Sequence, residues 1–239
     1  MSAPIIITGG GQRLGLATAL HFAKNKQPVV ITFRNNTKNI PELERAGVEC
    51  IQVDFATPSS INYFIKDIES RYSQIRGIIH NASDWVPESN ADDPAGLFDR
   101  MMFIHAKVPY LINRSLSKQL IANADATGRP SDIIHMTDFV IEKGSRKHLA
   151  YAASKAALNS LTKSFAAQLA PQVKVNEIAP ALLMFNQDDD QEYRTKALKK
   201  SLMQCAPGEQ EGVKAIEFLL NSDYMTGRIL HLDGGRHLV

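Results

Sequence analysis

Tyr151 and Lys155 lie four residues apart in a segment of helical period, residues 150–169, so a phenol and an ammonium share one helix face. A phenol, with a pKa of about 10, is a poor acid or base at neutral pH. A cation that stabilises its anion changes this, and the pair could then hand a proton to a substrate or take one from it. Near the other end of the chain, Thr8-Gly9-Gly10-Gly11-Gln12-Arg13-Leu14-Gly15 follows an isoleucine run and opens a helical stretch. Backbone N–H groups and the positive helix end can cradle a pyrophosphate there. Glycines that only make a tight turn would read the same way. The GxGxxG spacing fails at Leu14; the loop instead follows TGxxxGxG, with Arg13 where the middle glycine belongs.

Nucleotide choice is read at the end of the second apolar run. An NAD enzyme carries an acid there, about 20 residues beyond the glycine loop, to hold the ribose 2′-hydroxyl. Here the residues are Thr32, Phe33, Arg34 and Asn35. A guanidinium without an acid suits the planar oxygen array of a 2′-phosphate, so the expected cofactor is NADPH. Asp54, after the third run, either accepts a hydrogen bond from the adenine amino group or caps the helix that opens at Thr57-Pro58.

These residues need a frame to bring them together. Seven strand-length runs, 4–8, 29–33, 48–53, 77–81, 132–137, 174–179 and 229–232, alternate with helical stretches at 13–26, 41–46, 59–72, 97–122 and 150–169, and two more after Asp190. That alternation is the signature of βαβ units on a parallel sheet, and continuous β-branched runs suit strands covered on both faces. The expected fold is α/β: one domain over residues 1–239, a Rossmann-like, doubly wound parallel sheet of about seven strands with helices on both faces. The third, fourth, fifth and sixth runs end next to Asp54, Asn81, Asp138 and Pro180, at the carboxyl edge where open α/β sheets bind ligands.

Composition narrows the function classes. With 27 basic against 25 acidic residues and no block of like charge, nucleic acid is excluded as a main partner. Cys50 and Cys205 are far apart and form no CxxC, and the seven histidines show neither HxxxH nor HExxH spacing, so no metal site is expected. Asp188-Asp189-Asp190 reads as an acidic helix start that complements the dipole. The N-terminal residues lack a basic n-region, and the isoleucine run is too short for a membrane span. The expectation is a soluble cytoplasmic protein with no membrane partner.

Four motifs then occur in order: TGxxxRxG, Asn81-Ala82-Ser83, Tyr151-Ala152-Ala153-Ser154-Lys155, and Thr226-Gly227 with Asp233-Gly234-Gly235. Together they resemble the short-chain dehydrogenase/reductase family over essentially the whole chain. The resemblance implies that Tyr151 donates the proton and that Lys155 binds the nicotinamide ribose and lowers the tyrosine pKa. It further implies that Gly9, Gly11, Arg13, Leu14, Gly15, Asn81, Ala82 and Pro180 belong to the nucleotide site, and that the enzyme is a homotetramer. Two positions depart from the family pattern. Asp138, thirteen residues before Tyr151, replaces a substrate-polarising serine, and His105 stands where a proton-relay asparagine is expected.

Arg13 and Asp138 together resemble the pteridine reductase branch, in which Trp85 falls where an aromatic ring covers the pterin. The segments 21–31, 80–85, 131–140 and 232–237 carry the same likeness. A flat polar bicycle needs such a plate on one face and the nicotinamide on the other. Arg13 would donate to both cofactor phosphate and pterin, while Asp138 and Tyr151 would organise proton delivery to the ring. Ser154 reads as a small helix residue, and the segment at 188–190, which follows the run 182–185, as a cover over the substrate. Two other functions remain open: a generic ketone or acyl-carrier-protein-linked carbonyl reductase, which the Asp138 charge disfavours, and a dinucleotide-sensing regulator, which would have no use for Tyr151 and Lys155.

Overall fold

All seven apolar runs form strands: β1 (Ile5–Thr8), β2 (Val29–Phe33), β3 (Glu49–Gln52), β4 (Gly77–His80), β5 (Ser131–Met136), β6 (Val173–Pro180) and β7 (Ile229–Leu232). The structure, a computed structural model, describes residues 3–239. The strands make one sheet in the order β3-β2-β1-β4-β5-β6-β7, with every pairing parallel. Around it lie α1 (Arg13–Lys24), α2 (Ile40–Arg45), α3 (Pro58–Arg71), α4 (Pro94–Met102), α5 (Val108–Thr127), α6 (Val140–Lys143), α7 (Leu149–Leu169), α8 (Gln191–Leu198) and α9 (Glu209–Asn221). None of the described helices is long and apolar enough to cross a membrane.

The packing explains why the strands read as unbroken apolar runs. Ile5 and Ile7 of β1 pack in a cluster with Leu14 and Phe22 of α1 and Val213, Ile216 and Leu219 of α9. Ile6, between them, belongs to the opposite layer, with Ile61, Phe64 and Ile68 of α3, Ile112, Leu116 and Leu120 of α5, and Phe165 of α7. Successive side chains leave a strand on opposite faces, and both faces here are covered, so neither set alternates with polar residues. The strand order reverses between β1 and β4, and the crevice above the carboxyl ends of these two strands is the natural ligand site.

Helix starts follow local chemistry. Thr57 caps α3 by accepting from the Ser60 N–H at 3.2 Å, with Pro58 in the first turn. Asp54 is therefore not the cap, which removes one of its two readings. Asp93 caps α4 and Asp190 caps α8, the latter as the acidic run predicts.

The helical stretch expected over 97–122 is interrupted. Between α4 and α5, residues Phe103–Lys107 form a π-helical turn. Pro109 gives the reason: it has no N–H to offer the His105 carbonyl, and its ring crowds that position, so the regular ladder cannot run through.

Polar side chains also cross the core. His80, His135 and Glu177 are neighbours in register on β4, β5 and β6. Asn113 joins the two imidazoles, at 2.7 Å from His80 and 3.1 Å from His135, and Thr162 joins His135 to the Glu177 carboxylate. The Asn113 amide N–H donates to His135 Nε2, so the other ring nitrogen carries the proton toward Thr162. Burial keeps both rings neutral, with His80 pushed down to about 4 and His135 well below its ordinary value.

Candidate active site

The glycine loop is built by close contact. Gly9 has φ +67°, and a Cβ there would lie 2.8 Å from the Ala82 Cα. Gly15 is buried beneath the loop, where a Cβ would meet the Gly9 carbonyl at 2.4 Å, so it shapes the turn from below without lining the crevice. The Asn81 side chain donates to the Thr8 and Gly9 carbonyls at 3.2 and 2.9 Å, while Thr8 Oγ1 accepts from the Asn81 and Ala82 N–H groups, both at 3.0 Å. Asn81 and Ala82 thus tie the end of β4 to the loop after β1, across the point where strand order reverses.

Above these contacts lies a cleft of about 970 Å³. It is lined by Gly9, Gly11, Arg13 and Leu14 from the loop, Arg34 after β2, Asp54 after β3, and Asn81 and Ala82 after β4. Arg34 and Asp54 are exposed within it. The segment that carries Arg34 is held to the loop: the Gly11 carbonyl accepts from Thr37 Oγ1 and the Asn39 amide at 3.1 Å each, and the Arg34 carbonyl accepts from Gln52. Arg13 takes up φ +53°, unusual for a side chain with a Cβ, and its guanidinium donates to Asn186 Oδ1 and the Met184 carbonyl on the far wall. Pro180 departs from expectation. It ends β6, its carbonyl accepts from the Phe139 N–H at 3.0 Å, and the cleft is lined instead by the next four residues, 181–184.

None of Tyr151, Lys155 and Asp138 lines this cleft: Asp138 follows β5, Tyr151 and Lys155 stand near the start of α7, and the Tyr151 ring lies edge-on to His105, whose Nε2 is 2.8 Å from Oγ of the cleft residue Ser83. The Tyr151 hydroxyl donates to Asp138 Oδ2 at 2.9 Å, and Asp138 Oδ1 accepts from the Val140 N–H at 2.9 Å. One carboxylate therefore both accepts the first N–H of α6 and holds the phenol. The Tyr151 ring packs in a small cluster with Leu97 and Met101 of α4 and Ala150. Lys155 is 3 % exposed and donates to the Met136 carbonyl at 2.8 Å, with Nζ 5.6 Å from the Tyr151 ring centre. Burial pushes Lys155 down to about 8, against the pull of Asp138 and Glu177.

The phenol goes the other way from the expectation that Lys155 lowers its pKa. Burial, the Asp138 charge and the Asp138 hydrogen bond hold Tyr151 well above its ordinary value. Burial is the larger cause, and the carboxylate that stands in place of a serine adds to it, since an anion at hydrogen-bond distance penalises a second anion. Tyr151 in the free protein is a protonated donor.

Trp85 lies outside the cleft lining and is 60 % exposed. Its indole packs on the His148 ring, with centroids 4.3 Å apart, at the entry to α7. At that exposure the ring does not serve as a cover for the core.

Sequence reasoning missed one connected set. His105, 1 % exposed on the π turn, has Nε2 2.8 Å from Ser83 Oγ and Nδ1 2.8 Å from Ser154 Oγ, and Ser154 Oγ donates to the Tyr151 carbonyl at 2.7 Å. Ser154 is thus a link in this set and not merely a small helix residue. Its position immediately before Lys155 was visible, but its partner was hidden by an interruption that only Pro109 signals.

The family described as enoyl-(acyl carrier protein) reductase matches residues 11–237. Dihydromonapterin reductase of Escherichia coli O6:H1 (strain CFT073) is 50 % identical over 237 residues, 99 % of this chain and 98 % of that one. The enzyme of the same name from Shigella flexneri serotype 5b is 50 % identical over 235 residues, 98 % and 97 % of the two chains. Among solved structures, FolM alternative dihydrofolate reductase 1 from Brucella suis, in complex with NADP, superposes with a TM-score of 0.87 at 24 % identity, covering 100 % of this chain and 96 % of that one. With its reversing parallel sheet, its glycine loop and its Tyr151–Lys155 pair on α7, the chain belongs to the short-chain dehydrogenase/reductase family of oxidoreductases.

Proposed function

We propose that this protein is an NADPH-dependent reductase of 7,8-dihydromonapterin, giving the tetrahydro form, with dihydrofolate as a slower second substrate. The observation that carries the reading is the Asp138 carboxylate on the Tyr151 hydroxyl. A ketone gains negative charge on oxygen as hydride arrives, and a fixed carboxylate repels it. A C=N nitrogen gains a proton instead, and a carboxylate beside it is favourable. The activity named for the relatives that share half of this sequence supports the same substrate class.

The residues present fit a dinucleotide. Where Gly9 approaches Ala82 no side chain stands between loop backbone and cleft, and the loop opens directly into α1. Gly9, Gly11, Arg13 and Leu14 would hold the pyrophosphate, Arg34 the 2′-phosphate, Asp54 the adenine amino group, and Lys155 the nicotinamide ribose, with Asn81, Ala82 and the segment after Pro180 as walls. Bound there, NADPH supplies the hydride. Tyr151 and Asp138 hold a proton at the substrate edge, the phenol as donor and the carboxylate as the acceptor that orients it. Trp85 offers the plate for the bicycle and Arg13 a donor fork between the two ligands.

The direct test follows NADPH oxidation over 7,8-dihydromonapterin, dihydrofolate, simple ketones and 3-oxoacyl thioesters. The dihydropterin should have the highest kcat/KM; a ketone or thioester in first place overturns the reading. Cofactor choice is checked separately. NADPH should be preferred over NADH by at least about tenfold in kcat/KM, the worth of one charge-assisted contact. Arg34→Ala should remove most of that preference by weakening NADPH alone, and equal use of both cofactors by the unaltered enzyme would refute the role of Arg34.

A further inference from the structure

His105 has both ring nitrogens engaged, and the partners fix its tautomer. The Asp84 backbone N–H points at Nε2 at 3.2 Å and can only donate, so Nε2 is an acceptor, shared with the Ser83 hydroxyl at 2.8 Å. The neutral ring then carries its proton on Nδ1, which donates to Ser154 Oγ at 2.8 Å. Burial and the nearby Lys155 charge keep it neutral. One side chain from the π turn thus joins the segment after β4 to the helix that carries Tyr151 and Lys155.

That segment is Ser83-Asp84-Trp85. Asp84 is held twice, its N–H on His105 and its carboxylate in an ion pair with Arg100 of α4, and its Oδ1 accepts from the Trp85 N–H at 2.9 Å. Trp85 is the next residue along, with its ring on His148 just before α7. The aromatic plate and the proton pair are therefore referred to a common point, His105, from two sides.

We propose that His105 is a positioning residue that sets specificity: by bridging Ser83-Asp84 to Ser154 it fixes the spacing between Trp85 and the Tyr151–Asp138 pair, and so favours flat bicyclic substrates over small open-chain carbonyls. The proposal rests on the pterin reading for its substrate and on the hydrogen bonds alone for the bridge. Side-chain length shows why a histidine is needed. An asparagine amide ends at the level of Nδ1 and can serve Ser154 only. A glutamine amide reaches the level of Nε2 and can accept from the Asp84 N–H only. Imidazole does both.

The test compares His105→Asn with His105→Gln in two readouts. The first is steady-state kinetics with 7,8-dihydromonapterin and with diacetyl, a small open-chain diketone. The second is the fluorescence anisotropy of Trp85, the sole tryptophan, without substrate. His105→Asn should raise the dihydropterin KM about five- to tenfold, the scale of one lost hydrogen bond to a positioned segment, with a smaller change in kcat. It should lower the preference for dihydropterin over diacetyl by a similar factor and reduce the anisotropy as Trp85 loosens. His105→Gln, which keeps the acceptor for Asp84 but loses the donor to Ser154, should recover the anisotropy and only part of the KM. A merely space-filling histidine would treat the two variants alike.

Wild-type KM and anisotropy in His105→Asn, or a glutamine variant no better than the asparagine one, overturns the proposal. Should His105→Asn fail to fold, His105→Gln against wild type still decides, since an unchanged dihydropterin KM there, with the Ser154 end of the bridge lost, contradicts it. Absence of dihydropterin turnover in the unaltered enzyme defeats the functional reading instead and leaves the anisotropy comparison to judge the bridge.

Discussion

Tyr151→Phe should lower kcat for dihydropterin reduction by about 100-fold or more while leaving folding and NADPH affinity close to wild type. The ring stays packed between Leu97, Met101 and Ala150, and only the hydroxyl that meets Asp138 is removed. Turnover and NADPH binding, measured side by side, check this; a Phe variant with unaltered kcat contradicts the assignment. The pH profile separates the two members of the pair. Lys155, at about 8, loses its charge as pH rises through that value, so kcat/KM of the free enzyme should fall on the alkaline side there. Tyr151, held well above its ordinary value, should add no inflection in the neutral range.

Asp138→Ser should reduce dihydropterin turnover by about 10- to 100-fold, the range for losing an electrostatic partner of the transition state, and raise the weak activity on simple ketones. The carboxylate that orients the phenol disappears, and so does the charge that opposes a carbonyl oxyanion. Trp85→Ala should raise KM for dihydropterin by the worth of an aromatic plate, roughly 1 to 3 kcal/mol, with little effect on NADPH, because Trp85 lies outside the dinucleotide cleft. Steady-state kinetics with both substrates and both ligands checks each. Dihydropterin turnover and KM left intact by both substitutions would return the enzyme to a short-chain reductase of unknown substrate.

The frame was legible because its signals are local. Runs such as Ile5-Ile6-Ile7 and Val29-Val30-Ile31 are buried on both faces, so composition alone marks them, and the observed strands fall within a residue or two of the expected positions. The lone stretch read as one helix over 97–122 failed because propensity is blind to a register change that keeps the backbone helical. At the site, the glycine loop and Arg34 were singled out by their places at strand ends and Tyr151 by the helix after the fifth run, while Asp138 came from the family resemblance alone. The partners of His105 were not: Ser83 is 22 residues before it and Ser154 is 49 after it, and no periodicity connects them. The direction of the Tyr151 shift was misread for a related reason. Lys155, one turn away, is visible in sequence, while burial and Asp138 act only once the fold brings them together.

The π turn at Phe103–Lys107 makes this enzyme sensitive to chain length as well as to side-chain identity. Deleting one residue within it would leave Pro109 in place but shift the register across the turn and rotate α4 against α5 by about 100°. Leu97 and Met101 would leave the Tyr151 ring, Arg100 would leave Asp84, and the imidazole would swing out from between the two serines. A one-residue deletion here should therefore disturb the site with every residue that handles the proton still in place.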